Sequence, residues 1–235
     1  AYITVGLFNE AEYKLQSLKE RYPEDKNVSM LQAWLIFKQG NAKKALDTID
    51  AYIQDNKNNP SAWQLRSEIN IALNEYQKAI SDLKACKALT NDPSISLSLA
   101  KVYMQISDYD SAEKELKELL DKNNAVMEAN FLLESIYQKL DRKTALENLY
   151  NKVIEKYPDN IQWFNKAADY ALQTKDYERA EKLYKKSCDM IRESYTGDKQ
   201  GKEIDNDLYV SSFEGYLISL VSQKDLHPEK AELVL

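Results

Sequence analysis

A small residue returns along this chain at an almost constant interval, and that interval constrains the fold more than any other feature. Ala11, Ala45, Ala79, Ala112, Leu146 and Ala180 are separated by 34, 34, 33, 34 and 34 residues. An aromatic stands three residues ahead of four of these sites, as Phe8, Tyr76, Tyr109 and Tyr177. Pro23, Pro60, Pro93 and Pro158 punctuate the unit ends. A period of this length marks stacked supersecondary units, each burying its apolar face against the next.

Within one period the apolar spacing is helical. In residues 94–123, Leu99, Ala100 and Tyr103 share one face of a first helix. Ser107-Asp108 ends that helix, and Asp108 is suited to cap the next. The second helix gathers Ala112, Leu116, Leu119 and Leu120 on one side and leaves Glu113, Lys114, Glu115, Lys117 and Glu118 elsewhere. The alanine matters because a methyl group lets two helices approach closely, whereas a larger group there wedges them apart.

Composition agrees with helices. Five glycines and five prolines in 235 residues are too few for a fold of many tight turns. With 43% hydrophobic and 30% charged residues the chain resembles neither a disordered nor a membrane protein. No run approaches the roughly 18 apolar residues of a membrane span, and residues 1–10 show no signal-peptide pattern. A net charge of −6 argues against nucleic acid as a partner. Cys86 and Cys188 lie far apart at apolar helix positions, which suits small buried thiols and leaves a reducing cytoplasm slightly favoured over a periplasm.

The unit resembles the tetratricopeptide repeat. The resemblance is fullest in Leu99, Ala100, Tyr103, Tyr109, Ala112 and Leu116. It extends to Phe164, Ala167, Ala168, Tyr177, Ala180, Tyr184 and Ser187, and to Trp63, Ser67, Tyr76, Ala79 and Leu83. The unit over 127–160 departs, with Leu146 in the alanine place and Lys143 in the aromatic one, although Leu133, Tyr137, Tyr150, Val153 and Pro158 conform. The resemblance implies an all-α fold, a right-handed solenoid of stacked antiparallel hairpins. We expect a partial repeat over 1–25, repeats over 26–59, 60–92, 93–126, 127–160 and 161–192, a polar loop over 193–206, and a further helical pair over 207–235. Residues 1–5 read as the tail of a first helix and Pro228 as the start of a last one, so the expectation is a segment of a longer array.

Catalytic signatures are weak. The stretch from Gly197 to Lys202 has too few residues between its glycines for a phosphate loop and Glu203 where a hydroxyl is needed. A single histidine, His227, offers little for metal or nucleophilic chemistry. The 38 acidic residues sit nearly all at positions the repeat turns outward, so no carboxyl pair is set in an apolar pocket. The expectation is a non-enzymatic chain without cofactor or metal.

The resemblance implies that first helices line an inner wall where ligands lie. The residues of each first helix that point away from its partner are Asn27, Met30, Trp34, Phe37 and Lys38; Gln64, Glu68 and Ile71; Leu97, Lys101, Met104 and Gln105; Phe131, Ser135 and Gln138; and Gln162, Asn165 and Asp169. Met30, Trp34 and Phe37 together suit an apolar anchor of a bound peptide. The same positions also suit packing between neighbouring first helices, above all Leu97 and Phe131. Members of the family that grip a terminal carboxylate use a basic and amide clamp; here Met30, Trp34, Gln64, Glu68 and Ser98 stand instead.

These residues lead to an interaction scaffold holding a protein or peptide segment in its groove. The alternative is a regulatory or localising arm of a larger enzyme or envelope-assembly protein, with the activity elsewhere. A helical-toroid hydrolase is a third and weaker reading. Self-association through the repeat ends is also open, because terminal repeats need a polar cap.

Overall fold

Each hairpin closes through one backbone event. Gly6, Gly40, Asn74, Ser107, Asp141 and Lys175 adopt left-handed φ values of 78°, 90°, 62°, 61°, 50° and 63°. They fall on the same 34- or 33-residue spacing as the small-residue sites. After five of them the next amide reaches back across the turn: Asn41 to the Ile36 carbonyl (3.1 Å), Glu75 to Asn70 (2.8 Å), Asp108 to Tyr103 (2.9 Å), Arg142 to Tyr137 (2.8 Å) and Asp176 to Ala171 (2.8 Å). This closure satisfies a carbonyl that the ending helix would otherwise orphan, and reverses the chain. Asn41, Asp108 and Asp176 then cap the following helix, accepting from the amides of Lys44, Ser111 and Arg179 at 3.2 Å each.

The computed structural model describes residues 3–4, 6–23, 25–122, 126–196 and 206–223. Among these are twelve α-helices and no strand: α1 (Phe8–Arg21), α2 (Asn27–Lys38), α3 (Ala42–Asp55), α4 (Pro60–Ala72), α5 (Tyr76–Leu89), α6 (Pro93–Gln105), α7 (Tyr109–Lys122), α8 (Met127–Lys139), α9 (Lys143–Lys156), α10 (Ile161–Gln173), α11 (Tyr177–Thr196) and α12 (Asn206–Ser222). Pro60 and Pro93 open α4 and α6 at the first turn, where proline's missing N–H costs nothing. The architecture is an all-α helical-repeat solenoid, divided into two compact units, Ala1–Ile136 and Tyr137–Leu235.

In the first unit, Ala45, Ala79 and Ala112 are fully buried. Ala33, Ile36, Ala45, Ile49, Tyr52, Ala62, Leu65 and Ile69 form one continuous core through α2, α3 and α4. The hairpin α4–α5 buries a polar cluster beside its apolar residues. Arg66 donates to buried Asp82 (2.6 Å) and to Asp50 (2.7 Å), and Asn70 donates to Asp82 (2.8 Å). The guanidinium also lies over Trp63, 4.7 Å from the ring centre. Asp82 is an exception to the outward placement expected of nearly all the acids.

In the second unit, Tyr150 of α9 tilts against Trp163 (6.1 Å) and Tyr170 (5.6 Å) of α10. Ala168, Ala171, Ala180 and Tyr184 form the α10–α11 core. Helix α12 then packs on this pair in an unusual sense. Its inward residues include Ser212, Gly215, Ser219 and Leu220, with buried Gln223 just past its end, while Tyr209, Val210, Phe213, Ile218 and Val221 are exposed. A Cβ at Gly215 would lie 2.2 Å from the Tyr184 ring, so only glycine fits.

Residues 193–196, expected in a polar loop, belong instead to α11, which runs on through Thr196. The first helix of the pair expected over 207–235 occupies Asn206–Ser222. Most of that loop (197–205, with the Gly197–Lys202 stretch), His227 and the helix expected from Pro228 lie outside the described residues.

Candidate protein-interaction site

The period fixes which side of each first helix faces away from its hairpin partner, and α2 and α4 bring five expected residues together there. Met30, Trp34 and Lys38 of α2 meet Gln64 and Glu68 of α4 around a cavity of about 500 Å³. Ile3, Thr4, Leu31, Ser61 and Leu65 complete its wall. A second cavity of about 230 Å³ shares Trp34, Ile3 and Leu31 with the first and is lined also by Ala11, Lys14, Leu15 and Leu18. Trp34 is therefore a half-buried wall common to two hollows, of the kind that seats an aliphatic or aromatic anchor.

The neighbours of this cavity are fixed from behind. Met30, Trp34 and Phe37 rest on the α2–α4 core. Asn27 accepts a hydrogen bond from the Tyr52 hydroxyl (3.3 Å), which in turn accepts one from Asn59 (2.8 Å). Lys38 places its ammonium 5.3 Å from the centre of the Phe37 ring. Burial pushes the Glu68 carboxyl above its ordinary range, and the charge of Lys38 opposes that rise.

The other expected residues are placed differently. In the first unit Ile71, Leu97, Met104 and Phe131 are half-buried, whereas Gln105 and Ser135 are exposed. Lys101 is exposed and pairs with Glu128 at 2.6 Å. In the second unit Gln138 and Gln162 are exposed, and Asp169 accepts a hydrogen bond from Tyr184. Asn165 corrects its expectation. It is buried and donates to the Ser212 hydroxyl of α12 (2.8 Å), so it holds the fold together instead of facing an open wall.

Sequence reasoning missed Ile3 and Thr4, which precede α1 and carry no periodic signal, and Leu31 and Leu65, which sit beside the expected stripe. Among the described residues no group of three or more His, Cys, Asp or Glu side chains is placed to hold a metal ion. Cys86 donates to the Pro60 carbonyl (3.3 Å), and burial pushes both thiols up, away from reactivity. Among the same residues no helix is long and apolar enough to cross a membrane.

Comparison with known proteins gives the class. A family model described as anaphase-promoting complex, cyclosome, subunit 3 matches residues 5–86, and a tetratricopeptide repeat model matches residues 163–194. Tetratricopeptide repeat protein 21B of Xenopus laevis is 25% identical over 135 residues; the match covers 54% of this chain and only 10% of that protein. A tetratricopeptide repeat protein of Parabacteroides merdae superposes with a TM-score of 0.57 at 16% identity, covering 99% of this chain and 93% of its own. MamA superposes with a TM-score of 0.58 at 15% identity, covering 77% and 99%. YrrB, described as a tetratricopeptide repeat protein with an unusual peptide-binding site, gives 0.54 at 15%, covering 85% and 97%. The chain thus carries repeats similar to the tetratricopeptide repeat, and its fold is that of tetratricopeptide repeat proteins.

Proposed function

We propose that the chain is a non-enzymatic scaffold that holds a peptide segment of another protein on the inner wall of its first unit, with an apolar group seated beside Trp34. The observation that carries this reading is the cavity of about 500 Å³ between α2 and α4, where an aromatic wall, a thioether, an amide and a carboxylate converge. An anchor buried there removes apolar surface from water, while Gln64 and Ser61 supply hydrogen bonds that fix its orientation. Such a central aromatic contact is worth about 2 kcal/mol, or roughly thirtyfold in affinity.

The test is selection from a phage-displayed random-peptide library against the whole chain, followed by anisotropy titration of an enriched peptide. Trp34→Ala is expected to weaken that peptide about thirtyfold with an unchanged far-ultraviolet circular dichroism spectrum. Equal affinity in the folded variant would remove this wall from the function.

A further inference from the structure

Glu68 is the one acid in the wall of the larger cavity, and it is half-buried. Among the described residues its carboxylate accepts no hydrogen bond and has no cation within 4.0 Å. Other acids of this unit are better served. Asp82 has Arg66 and Asn70, Glu115 has Lys87 at 2.5 Å, and Glu128 has Lys101 at 2.6 Å. Lys38, whose charge acts on Glu68, holds its ammonium 5.3 Å from the centre of the Phe37 ring.

A desolvated carboxylate without a partner is costly, and a bound cation relieves that cost. The surroundings select which cation. Trp34, Met30 and Leu65 form an apolar channel beside the carboxylate, which suits a long methylene stem more than a compact ion. The indole of Trp34 adds a cation–π face. The smaller cavity has no acid in its wall and so offers a cation no carboxylate. The chain's net charge of −6 also favours approach of a basic segment.

We infer, building on the groove reading above, that the bound segment is basic: it inserts an arginine or lysine side chain whose stem lies along Trp34 and Met30 and whose cation meets the Glu68 carboxylate. Arginine is the stronger ligand, because its planar guanidinium can donate two parallel hydrogen bonds to one carboxylate while stacking on the indole.

The experiment is a parallel random-peptide selection on the wild-type chain, Glu68→Lys and Trp34→Ala. Wild type is expected to enrich peptides with arginine or lysine next to an apolar residue, and Glu68→Lys to lose them and gain acidic ones. Against a wild-type-selected peptide, the isosteric Glu68→Gln is expected to bind about tenfold more weakly, with less difference at high salt. Peptides that depend on Trp34 but show no basic bias, or that bind Glu68→Lys and Glu68→Gln unchanged, would overturn this inference and leave the groove standing. Enrichment of nothing above the blank support, or of one peptide set on wild type and Trp34→Ala alike, would overturn both.

Discussion

The hairpins α4–α5 and α6–α7 occupy one period and close through the same left-handed turn, yet they fill matching positions with different side chains. Arg66 stands where α6 carries Leu99, Asn70 where it carries Tyr103, and Asp82 where α7 carries Glu115. Leu99 is fully buried and Tyr103 nearly so, with the Lys84 ammonium 5.8 Å from its ring centre, whereas Arg66, Asn70 and Asp82 satisfy one another and draw in Asp50 from α3. The backbone path is therefore set by the turn and the small residues of the close contact. The side chains between them are exchangeable only as a matched set.

The sharpest way to break the comparison is to remove one member from each interior. Leu99→Ala is expected to cost about 3 kcal/mol through the cavity it leaves. Asp82→Ala is expected to cost a similar amount, about 3 kcal/mol, because Arg66 and Asn70 lose their acceptor. Urea unfolding reads both, and a loss below about 1 kcal/mol for Asp82→Ala would show that the polar set is decoration.

Making the polar hairpin resemble its neighbour tests exchangeability. The triple variant Arg66→Met, Asn70→Leu, Asp82→Leu is expected to match or exceed wild type by about 1–2 kcal/mol, although each single change destabilises. Additive losses in the triple would refute the matched-set account.

The turns offer a smaller contrast. Ser107→Gly removes a strained side chain from the left-handed position and is expected to stabilise by about 1 kcal/mol. Asn74→Gly gains only a few tenths, because asparagine tolerates that conformation. Equal gains from the two, measured by thermal unfolding, would contradict this.

The smallest effect belongs to Glu68. Burial holds its carboxyl above the ordinary 4.5 in the folded chain, so the folded state takes up this proton at a higher pH than the unfolded state does. The stabilising contribution is complete below the unfolded value and is lost as pH rises through the raised one. Glu68→Gln is therefore expected to be the more stable at neutral pH, by about 0.5 kcal/mol or less once solvent screening is counted, with the gap closing in acid. A gap that widens in acid would reverse the sign of this assignment.

How much of this was legible follows from particular residues. The alanine ladder could be read because helices in close contact tolerate only a small group, so one residue type recurs. The left-handed positions could not, since glycine, asparagine, serine, aspartate and lysine share no type even though their φ values agree. Met30, Trp34, Lys38, Gln64 and Glu68 were accessible because the period alone decides which side of α2 and α4 faces outward. Asn165 was not, because its partner Ser212 lies 47 residues away on a helix that breaks the period. Arg66 and Asp82, on different helices 16 residues apart, become a pair only when α4 and α5 are in register.

Helix α12 has a further consequence for how this molecule comes apart. Its inward side joins hydroxyl groups and the bare backbone at Gly215 to Leu220 and Tyr216, and it covers the Tyr184 ring, so lifting it off wets apolar surface on both partners. Urea and heat act in proportion to the surface newly wetted, so both promote this step. The fit of Gly215 against the Tyr184 ring sets where the helix seats, and the hydrogen bond between Asn165 and Ser212 pins that position.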